Sequence, residues 1–227
     1  MTARRKKAAR RAAPARANTR RRADTERTAS ARRIVVALTG ASGAIYGLRL
    51  LRFLLQRGTR VEAVVSNSGL RVLKEEAGYK GEALGEFLRR LYGTEISAGT
   101  LVQHRWADIG APIASGSVPT GGMIVCPCSM GTLSGIVTGR ASNLIERAAD
   151  VTLKEGRPLV LVPRETPFNR IHVENMRRAL EAGIRLVPAM PAFYFGPRRI
   201  EDLVDFVVGR AVAFLGFEHR LFRPWAE

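Results

Sequence analysis

The sequence has few cysteines and histidines. Its 227 residues include two cysteines and three histidines. Cys126 and Cys128 stand one residue apart, which is too close for an ordinary disulfide, and no histidine cluster accompanies them. We therefore predict two reduced packing residues at a buried strand end, no metal site, and a cytoplasmic protein.

Long apolar runs are also absent. No uninterrupted apolar stretch approaches the ~20 residues that are needed to span a bilayer, so we expect no membrane segment. A hydrophobic fraction of 46% in 227 residues is enough for one good core. We expect a single domain over residues 33–227.

The positive charge is concentrated at the N-terminus. The formal net charge is +17, and residues 1–33 hold thirteen Lys or Arg against Asp24 and Glu26, a net of +11. Because large apolar residues are scarce there, we expect residues 1–32 to form a disordered basic tail. A bland extension, a polyanion-binding arm and a transit peptide remain open for this tail. The rest of the chain is only mildly basic, so nucleic acid is not the expected partner of the domain.

One stretch joins a short apolar run to a helical pattern through a glycine loop. The run Arg33–Leu38 is too short for a helix, and the loop Thr39–Gly43 follows it. Loop amides, helix N-terminal amides and the hydroxyls of Thr39 and Ser42 can bind a phosphate. The glycine spacing fits neither a P-loop nor a dinucleotide fingerprint, so a plain strand-to-helix turn also remains open.

The rest of the chain repeats this alternation of strand and helix. It predicts a three-layer α/β domain of Rossmann or flavodoxin-like type with a mainly parallel sheet, whose strand carboxyl ends bind ligands. Residues 98–119 predict a long loop or small strands. The predicted strands are 33–38, 60–66, 122–128, 157–163 and 185–187, and the later helices are 67–77, 82–92, 143–154, 171–182 and 200–215.

Polar clusters follow four of these strands. They are Thr39–Gly43, Ser66, Ser129–Thr132 and Arg164-Glu165. Hydroxyls, loop amides and an arginine together suit a phosphorylated aromatic cofactor. A dinucleotide would need an acidic residue after the second strand, where this chain has Ser66.

Several segments resemble one known family, the UbiX-type flavin prenyltransferases. They are TGASGAIYGLRLL (39–51), ASGS (114–117), CPCS (126–129), NLIERAAD (143–150), LVLVPRETP (159–167) and PAMPAFY (188–194). The resemblance covers the chain from about Arg33 to its C-terminus. It implies a flavodoxin-like fold, a dodecamer, and transfer of a dimethylallyl group from dimethylallyl phosphate to reduced FMN. The prenylated FMN would serve a separate UbiD-type decarboxylase, in quinone synthesis or in aromatic-acid breakdown.

The resemblance also implies roles for individual residues. The residues that it assigns to FMN are Gly40, Ala41, Ser42, Ser66, Ser129, Met130, Gly131, Thr132 and Arg164. It assigns the allylic phosphate to Tyr194 and Arg210, and catalysis to Glu165, Lys154, Arg147 and Glu76. Either Trp106 or Ile109 would face the allyl group.

The chemistry explains why such groups are needed. Breaking the carbon–oxygen bond of the donor leaves a phosphate, whose charge Lys154, Arg147 and Arg210 would stabilise. The sequence has no aspartate-rich magnesium motif, so we expect a metal-independent reaction, which fits a monophosphate better than a diphosphate. Ring closure needs a proton acceptor, and Glu165 is the candidate.

Structural roles remain open for the same residues. Arg147 could pair with Glu146 on a helix surface, Lys154 could complement a helix dipole, Glu165 could cap the next helix, and Tyr194 could be a core residue.

Two other functions also remain open. One is an FMN-dependent cysteine-type decarboxylase of the same fold, although that group has Asn where this chain has Pro191. The other is a nucleic-acid-binding protein that acts through its basic tail.

Overall fold

The computed structural model describes residues 33–225, so the predicted tail 1–32 lies outside the described residues and its disorder stays a prediction. Six strands form one sheet in the order β3-β2-β1-β4-β5-β6, and every pairing is parallel. This confirms the predicted α/β class, and the order is that of a doubly wound sheet. The strands are β1 (Arg33–Leu38), β2 (Arg60–Val65), β3 (Thr100–His104), β4 (Met123–Cys128), β5 (Leu159–Pro163) and β6 (Arg185–Leu186).

Helices connect the strands. They are α1 (Ala44–Gln56), α2 (Asn67–Ala77), α3 (Leu84–Tyr92), α4 (Met130–Val137), α5 (Leu144–Lys154), α6 (Arg170–Glu181) and α7 (Ile200–Ala213). The observed elements begin or end within two residues of the predicted ones, because local sequence patterns do not fix where a helix or strand ends. The strand β3 lies within residues 98–119, for which the sequence predicts a long loop or small strands. No helix within residues 33–225 is long and apolar enough to cross a membrane.

The strand β1 lies inside the sheet and is covered on both faces. Ile34, Val36 and Leu38 join a core with α1, α3 and α7, whereas Val35 and Ala37 join a second core with α4 and α5. Burial on both faces explains why β1 is a continuous apolar run rather than an alternating one.

The topology fixes where ligands can bind. The chain passes from β1 to β2 on one side and later returns to β4 on the other side of β1. Connections that leave in opposite directions open a crevice at the carboxyl ends of β1 and β4, and ligands of doubly wound proteins bind there. We call this side of the sheet the carboxyl edge, and the opposite side the amino edge.

Candidate functional site

The loops that follow β1 and β4 are locked together by Thr39. Its hydroxyl donates a hydrogen bond to the carbonyl of Pro127 at 2.9 Å and accepts one from the amide of Ser129 at 2.7 Å. The residue is 1% exposed. The expectation that this hydroxyl would face a phosphate is therefore wrong, because both of its hydrogen bonds hold the crevice together.

The loop after β1 also packs directly against the start of α2. A Cβ atom added at Gly40 would lie 2.4 Å from the Cβ of Ser68, and one added at Gly69 would lie 2.7 Å from the carbonyl oxygen of Leu38. Ser66 is the N-cap of α2 and accepts a hydrogen bond from the Gly69 amide at 3.0 Å. Glycine is needed at both positions because the two segments are in contact.

The N-terminus of α1 is occupied by a carboxylate of the same chain. The amides of Gly43 and Ala44 both donate to Oε2 of Glu76, each at 2.8 Å, and α1 has no side-chain cap of its own. We expected these amides to face a phosphate, and in this chain the carboxylate of Glu76 takes the place of the phosphate as the acceptor. Partial burial raises the pKa of Glu76, but hydrogen bonds from the Ser42 hydroxyl and the two amides, together with the charge of Arg164, outweigh it and lower the pKa.

Arg164 connects the loop after β5 to the loop after β1. Its Nε donates to the backbone carbonyl of Ser42 at 2.9 Å, and its amide donates to the carbonyl of Cys128 at 3.3 Å. Sequence analysis missed a neighbour of this group, Tyr46 in the first turn of α1. Burial and the nearby Cys126 raise the pKa of its phenol, while Arg164 opposes that shift. The only feature of the sequence that could have indicated Tyr46 as a site residue is its position three residues after Gly43.

The start of α4 offers backbone donors beside open space. Ser129 is the N-cap, and its hydroxyl accepts from the Thr132 amide at 3.3 Å and donates to the Thr132 hydroxyl at 3.1 Å. A Cβ atom added at Gly131 would meet nothing within 4 Å. Met130 and Gly131 occupy the first turn, where amides lack partners within a helix. An anion can therefore approach this helix end closely.

Glu165 follows Arg164 at the carboxyl edge and is half-buried. Its Oε1 accepts a hydrogen bond from the Thr166 amide at 3.0 Å. It does not cap α6, because Asn169 is the N-cap of that helix and accepts from the His172 amide at 2.9 Å. The structural role considered for Glu165 is therefore wrong.

Tyr194 and Arg210 lie beside the outer strand β6. Arg210 lines a cavity of about 240 Å³ between β6 and α7, and Phe206 lines it as well. The ring of Tyr194 packs edge-on against Phe206 with the centroids 6.1 Å apart. The loop after β6 joins the end of β5, since the Ala189 amide donates to the carbonyl of Pro163 at 2.9 Å. Tyr194 belongs to this loop at the carboxyl edge, whereas Arg210 is in the last turn of α7, which runs back from that loop toward the amino edge.

The helix α5 carries the remaining predicted cations. Arg147 pairs with Asp150 at 2.9 Å, while Glu146 pairs with Arg140 at 3.0 Å, so the alternative of an ion pair between Arg147 and Glu146 is wrong. Lys154 is the last residue of α5, and its Nζ lies 3.9 Å from Glu155.

The course of α5 separates Lys154 from the carboxyl-edge loops. Because α5 runs back toward the start of β5, Lys154 lies at the amino edge, opposite Ser42. One chain alone does not bring Lys154 to the loops that hold Ser42 and Arg164.

The two candidates for the allyl-facing residue lie in the loop after β3. Trp106 packs against the core beside α5, and its carbonyl accepts from the Leu144 amide at 2.9 Å. Ile109 is 57% exposed. Within one chain Trp106 therefore has a packing role, and Ile109 points to the surface.

Comparison with known proteins assigns this chain to one class. A family model described as Flavoprotein matches residues 22–212, most of the chain. A doubly wound sheet with anion-binding loops at its switch point suits such a protein.

Curated relatives define the family more narrowly. A flavin prenyltransferase UbiX of Halalkalibacterium halodurans is 48% identical over 192 residues, which cover 85% of this chain and 92% of the relative. The chain belongs to the UbiX flavin prenyltransferase family. This confirms the resemblance that the sequence motifs indicated.

Solved structures of similar sequence also belong to UbiX-type proteins. AnUbiX (PadA1), in complex with FMN and dimethylallyl pyrophosphate, is 40% identical with a TM-score of 0.76, over 86% of this chain and 97% of the other. A dodecameric FMN-dependent UbiX-like decarboxylase of Escherichia coli O157:H7 is 41% identical with a TM-score of 0.75, over 86% and 100% of the two chains. The cysteine decarboxylase TvaF is 14% identical with a TM-score of 0.53, which shows a shared fold alone.

Proposed function

We propose that this chain binds reduced FMN at the carboxyl edge of the sheet and transfers a dimethylallyl group to it from dimethylallyl phosphate. The observation that carries the proposal is the meeting of Ser42, Glu76 and Arg164 beside the open first turn of α4. The structure of AnUbiX, a similar protein, is a complex with FMN and dimethylallyl pyrophosphate. When bound, reduced FMN supplies the nucleophilic ring atoms.

The residues at the crevice fit a phosphorylated flavin. The first turn of α4 offers backbone amides next to empty space at Gly131, and such a helix end suits a phosphate. Gly40 is exposed in the loop after β1 and can contact a planar group, whereas Ala41 and Ser66 are buried and support the loop and the neighbouring strand end. Arg164 adds a positive charge that Ser42 holds in place. These residues bind and orient the flavin.

The charge of the leaving phosphate requires cations that can reach it. Arg210 and Lys154 are exposed, and Lys154 has its nearest carboxylate at 3.9 Å. Arg147 is half-buried and held by Asp150. We assign these three side chains and Tyr194 to the phosphate of the donor, because guanidinium and ammonium groups stabilise a developing phosphate charge without a metal.

Because Lys154 lies at the amino edge, the site needs more than one subunit. A similar UbiX-like structure is dodecameric. In the proposed assembly, α5 of one subunit supplies Lys154 and Arg147 to the carboxyl edge of another. The contacts among Ser42, Glu76 and Arg164 stay within one chain.

Glu165 is the proposed proton acceptor. It lies next to Arg164 on the half-buried loop after β5, and its carboxylate has one backbone donor, the Thr166 amide. One carboxylate oxygen therefore has no hydrogen bond within residues 33–225 and can take a proton. Glu76 holds the Ser42 hydroxyl in position.

The product is expected to pass to a separate UbiD-type decarboxylase. We place the reaction in the cytoplasm, which agrees with the two buried, unbridged cysteines.

The direct test is the mass of the flavin after reaction. Purified protein, reduced FMN and dimethylallyl phosphate, mixed without oxygen and with a chelator, should give a flavin heavier by one five-carbon unit. Replacing the monophosphate by the diphosphate measures the donor preference. An unmodified flavin under these conditions would refute the proposed reaction.

Mixed oligomers test the shared site. Lys154→Ala and Arg164→Ala chains should each be inactive alone, and their co-assembly should restore part of the activity, because some interfaces then combine intact contributions. Lys74→Ala, which removes an exposed lysine from α2, serves as the control and should keep full activity. Co-assembled chains that remain inactive would show that both residues serve the same subunit's site.

A further inference from the structure

The aromatic ring of Tyr46 is held in place at the start of α1. Gly43, the N-cap of α1, has a φ of 103°, in the left-handed region that favours glycine. A Cβ atom added at Gly43 would lie 2.9 Å from Cδ2 of Tyr46, so the ring lies directly against the N-cap. The ring also packs against the core that β1 shares with α1 and α7. These contacts keep the Tyr46 side chain beside the beginning of the helix.

The same turn of α1 packs against the end of β4. A Cβ atom added at Gly47 would lie 2.5 Å from the carbonyl oxygen of Cys126, so the helix and the strand end are in direct contact. The strand β4 is the neighbour of β1 at the point where the chain connections diverge. Tyr46 therefore lies at the crevice between the carboxyl ends of these two strands.

The phenol oxygen of Tyr46 is open to a ligand. Among residues 33–225, every buried side-chain oxygen or nitrogen has a hydrogen-bond partner. The hydroxyl of Tyr46 has none in this part of the chain, so its oxygen is not buried although the residue is partly buried. Arg164, which the carbonyl of Ser42 holds in place, is close enough for its charge to act on the phenol. A free hydroxyl and a guanidinium are thus available together in the crevice.

The hydroxyl of Tyr46 stays protonated at neutral pH. Burial and the nearby Cys126 raise the pKa of the phenol above its ordinary value of 10.0, and Arg164 opposes this shift only in part. Tyr46 is therefore a hydrogen-bond donor beside a positive charge, and a ligand between the two groups must supply acceptors.

Given the proposed function, on which this inference rests, we propose that the hydroxyl of Tyr46 donates a hydrogen bond to the ring system of FMN and stabilises reduced FMN more than oxidised FMN. Reduced flavin carries a negative charge once its pyrimidine ring has lost a proton, and donors near the ring nitrogens tune its electronics. A hydrogen bond to a charged acceptor contributes more than one to a neutral acceptor. Arg164 supplies the matching positive charge.

The position of Tyr46 favours the flavin over the prenyl donor as its ligand. Its hydroxyl lies beside Arg164, which the crevice of the same chain holds for FMN. The cations assigned to the phosphate of the donor lie elsewhere, since Arg210 is in the last turn of α7 and Lys154 ends α5. A hydroxyl that served the donor would affect the KM for dimethylallyl phosphate and leave FMN binding unchanged.

The test is the reduction potential of bound FMN in the variant Tyr46→Phe, which removes the hydroxyl and keeps the ring. The affinity for oxidised FMN should fall roughly 2- to 10-fold, and the affinity for reduced FMN should fall about tenfold further. For a two-electron couple, that further tenfold loss lowers the midpoint potential by roughly 30 mV. Fluorescence titration measures the affinity for oxidised FMN, and anaerobic titration against a reference dye measures the potential. The Tm without FMN should not change, because the hydroxyl has no partner among residues 33–225.

Tyr92→Phe is the matched control. Tyr92 is also partly buried, and burial raises the pKa of its phenol as well. It ends α3 at the amino edge, where the guanidinium of Arg52 lies 5.2 Å from the centre of its ring. Loss of this hydroxyl should change neither the affinity for FMN nor the potential.

The possible outcomes separate this inference from the proposed function. If Tyr46→Phe weakens the binding of oxidised and reduced FMN equally, the potential is unchanged and Tyr46 only packs in the crevice. If affinity and potential are normal but the KM for dimethylallyl phosphate rises, Tyr46 serves the prenyl donor. Either result would overturn the inference while FMN binding stands. Wild-type protein that binds no FMN would instead refute the proposed function itself, and the inference with it.

Discussion

Glu76 gives the sharpest test of the site geometry, because its carboxylate has a structural role that can be separated from a chemical one. Its carboxylate accepts hydrogen bonds from the two free amides at the start of α1. The N-cap of this helix is Gly43, which has no side chain that could cap it. Losing a helix cap costs about 1 kcal/mol, and losing a favourable charge at a helix N-terminus costs up to about 1 kcal/mol more. Glu76→Ala should therefore lower the free energy of unfolding by about 1–2 kcal/mol.

The assay is thermal unfolding, followed by circular dichroism at pH 7. For a protein of this size, the expected loss lowers Tm by about 2–8 °C. Glu76→Gln keeps an acceptor oxygen and should shift Tm less. Glu75→Ala is the matched control, since among residues 33–225 the carboxylate of Glu75 hydrogen-bonds to Arg71 alone, on the same exposed helix surface. A Tm for Glu76→Ala equal to that of the control would refute the capping role.

The pH dependence follows from the lowered pKa of Glu76. Its folded-state pKa lies below the ordinary value of 4.5, so the charged form stabilises the fold. That contribution is fully present above pH 4.5 and is lost as the pH falls through the folded-state pKa. The Tm difference between wild type and Glu76→Gln should therefore shrink at low pH. If Glu76→Gln also abolishes prenyl transfer at pH 7 while remaining folded, the carboxylate has a catalytic role beyond capping.

Three further predictions concern the crevice. Gly40→Ala should lower Tm, because the new Cβ would displace Ser68, and it should weaken FMN binding. Thermal unfolding and FMN titration measure the two effects; an unchanged Tm would contradict the loop contact, and an unchanged affinity would exclude this loop from the FMN site. Gly131→Ala should keep or raise Tm, since alanine is the better helix former by up to about 1 kcal/mol, yet weaken FMN binding if the ligand approaches that turn. Glu165→Gln should leave Tm unchanged and slow ring closure, so that a singly attached flavin adduct accumulates in mass spectra. By contrast, Asn169→Ala removes the N-cap of α6 and should cost about 1 kcal/mol of stability. Normal turnover by the Glu165→Gln variant would remove Glu165 from the mechanism.

Much of the site was predictable because it depends on local patterns. Short apolar runs followed by Ser66, Ser129 or Arg164 gave both the strands and the residues at their ends. Parallel strands have their carboxyl ends at one edge, so the meeting of these residues followed from the strand-helix alternation alone. Family motifs then gave the reaction that geometry alone would have left open.

The fold class, the polar residues at the strand ends and the family of this protein all follow from the amino-acid pattern. Two features become visible only when the chain is folded: Glu76 accepts hydrogen bonds from the amides of Gly43 and Ala44, and Lys154 lies at the opposite edge from Ser42. The reason is physical: periodicity reports which face of an element is buried, whereas contacts between residues more than 30 positions apart depend on how whole helices pack across the sheet.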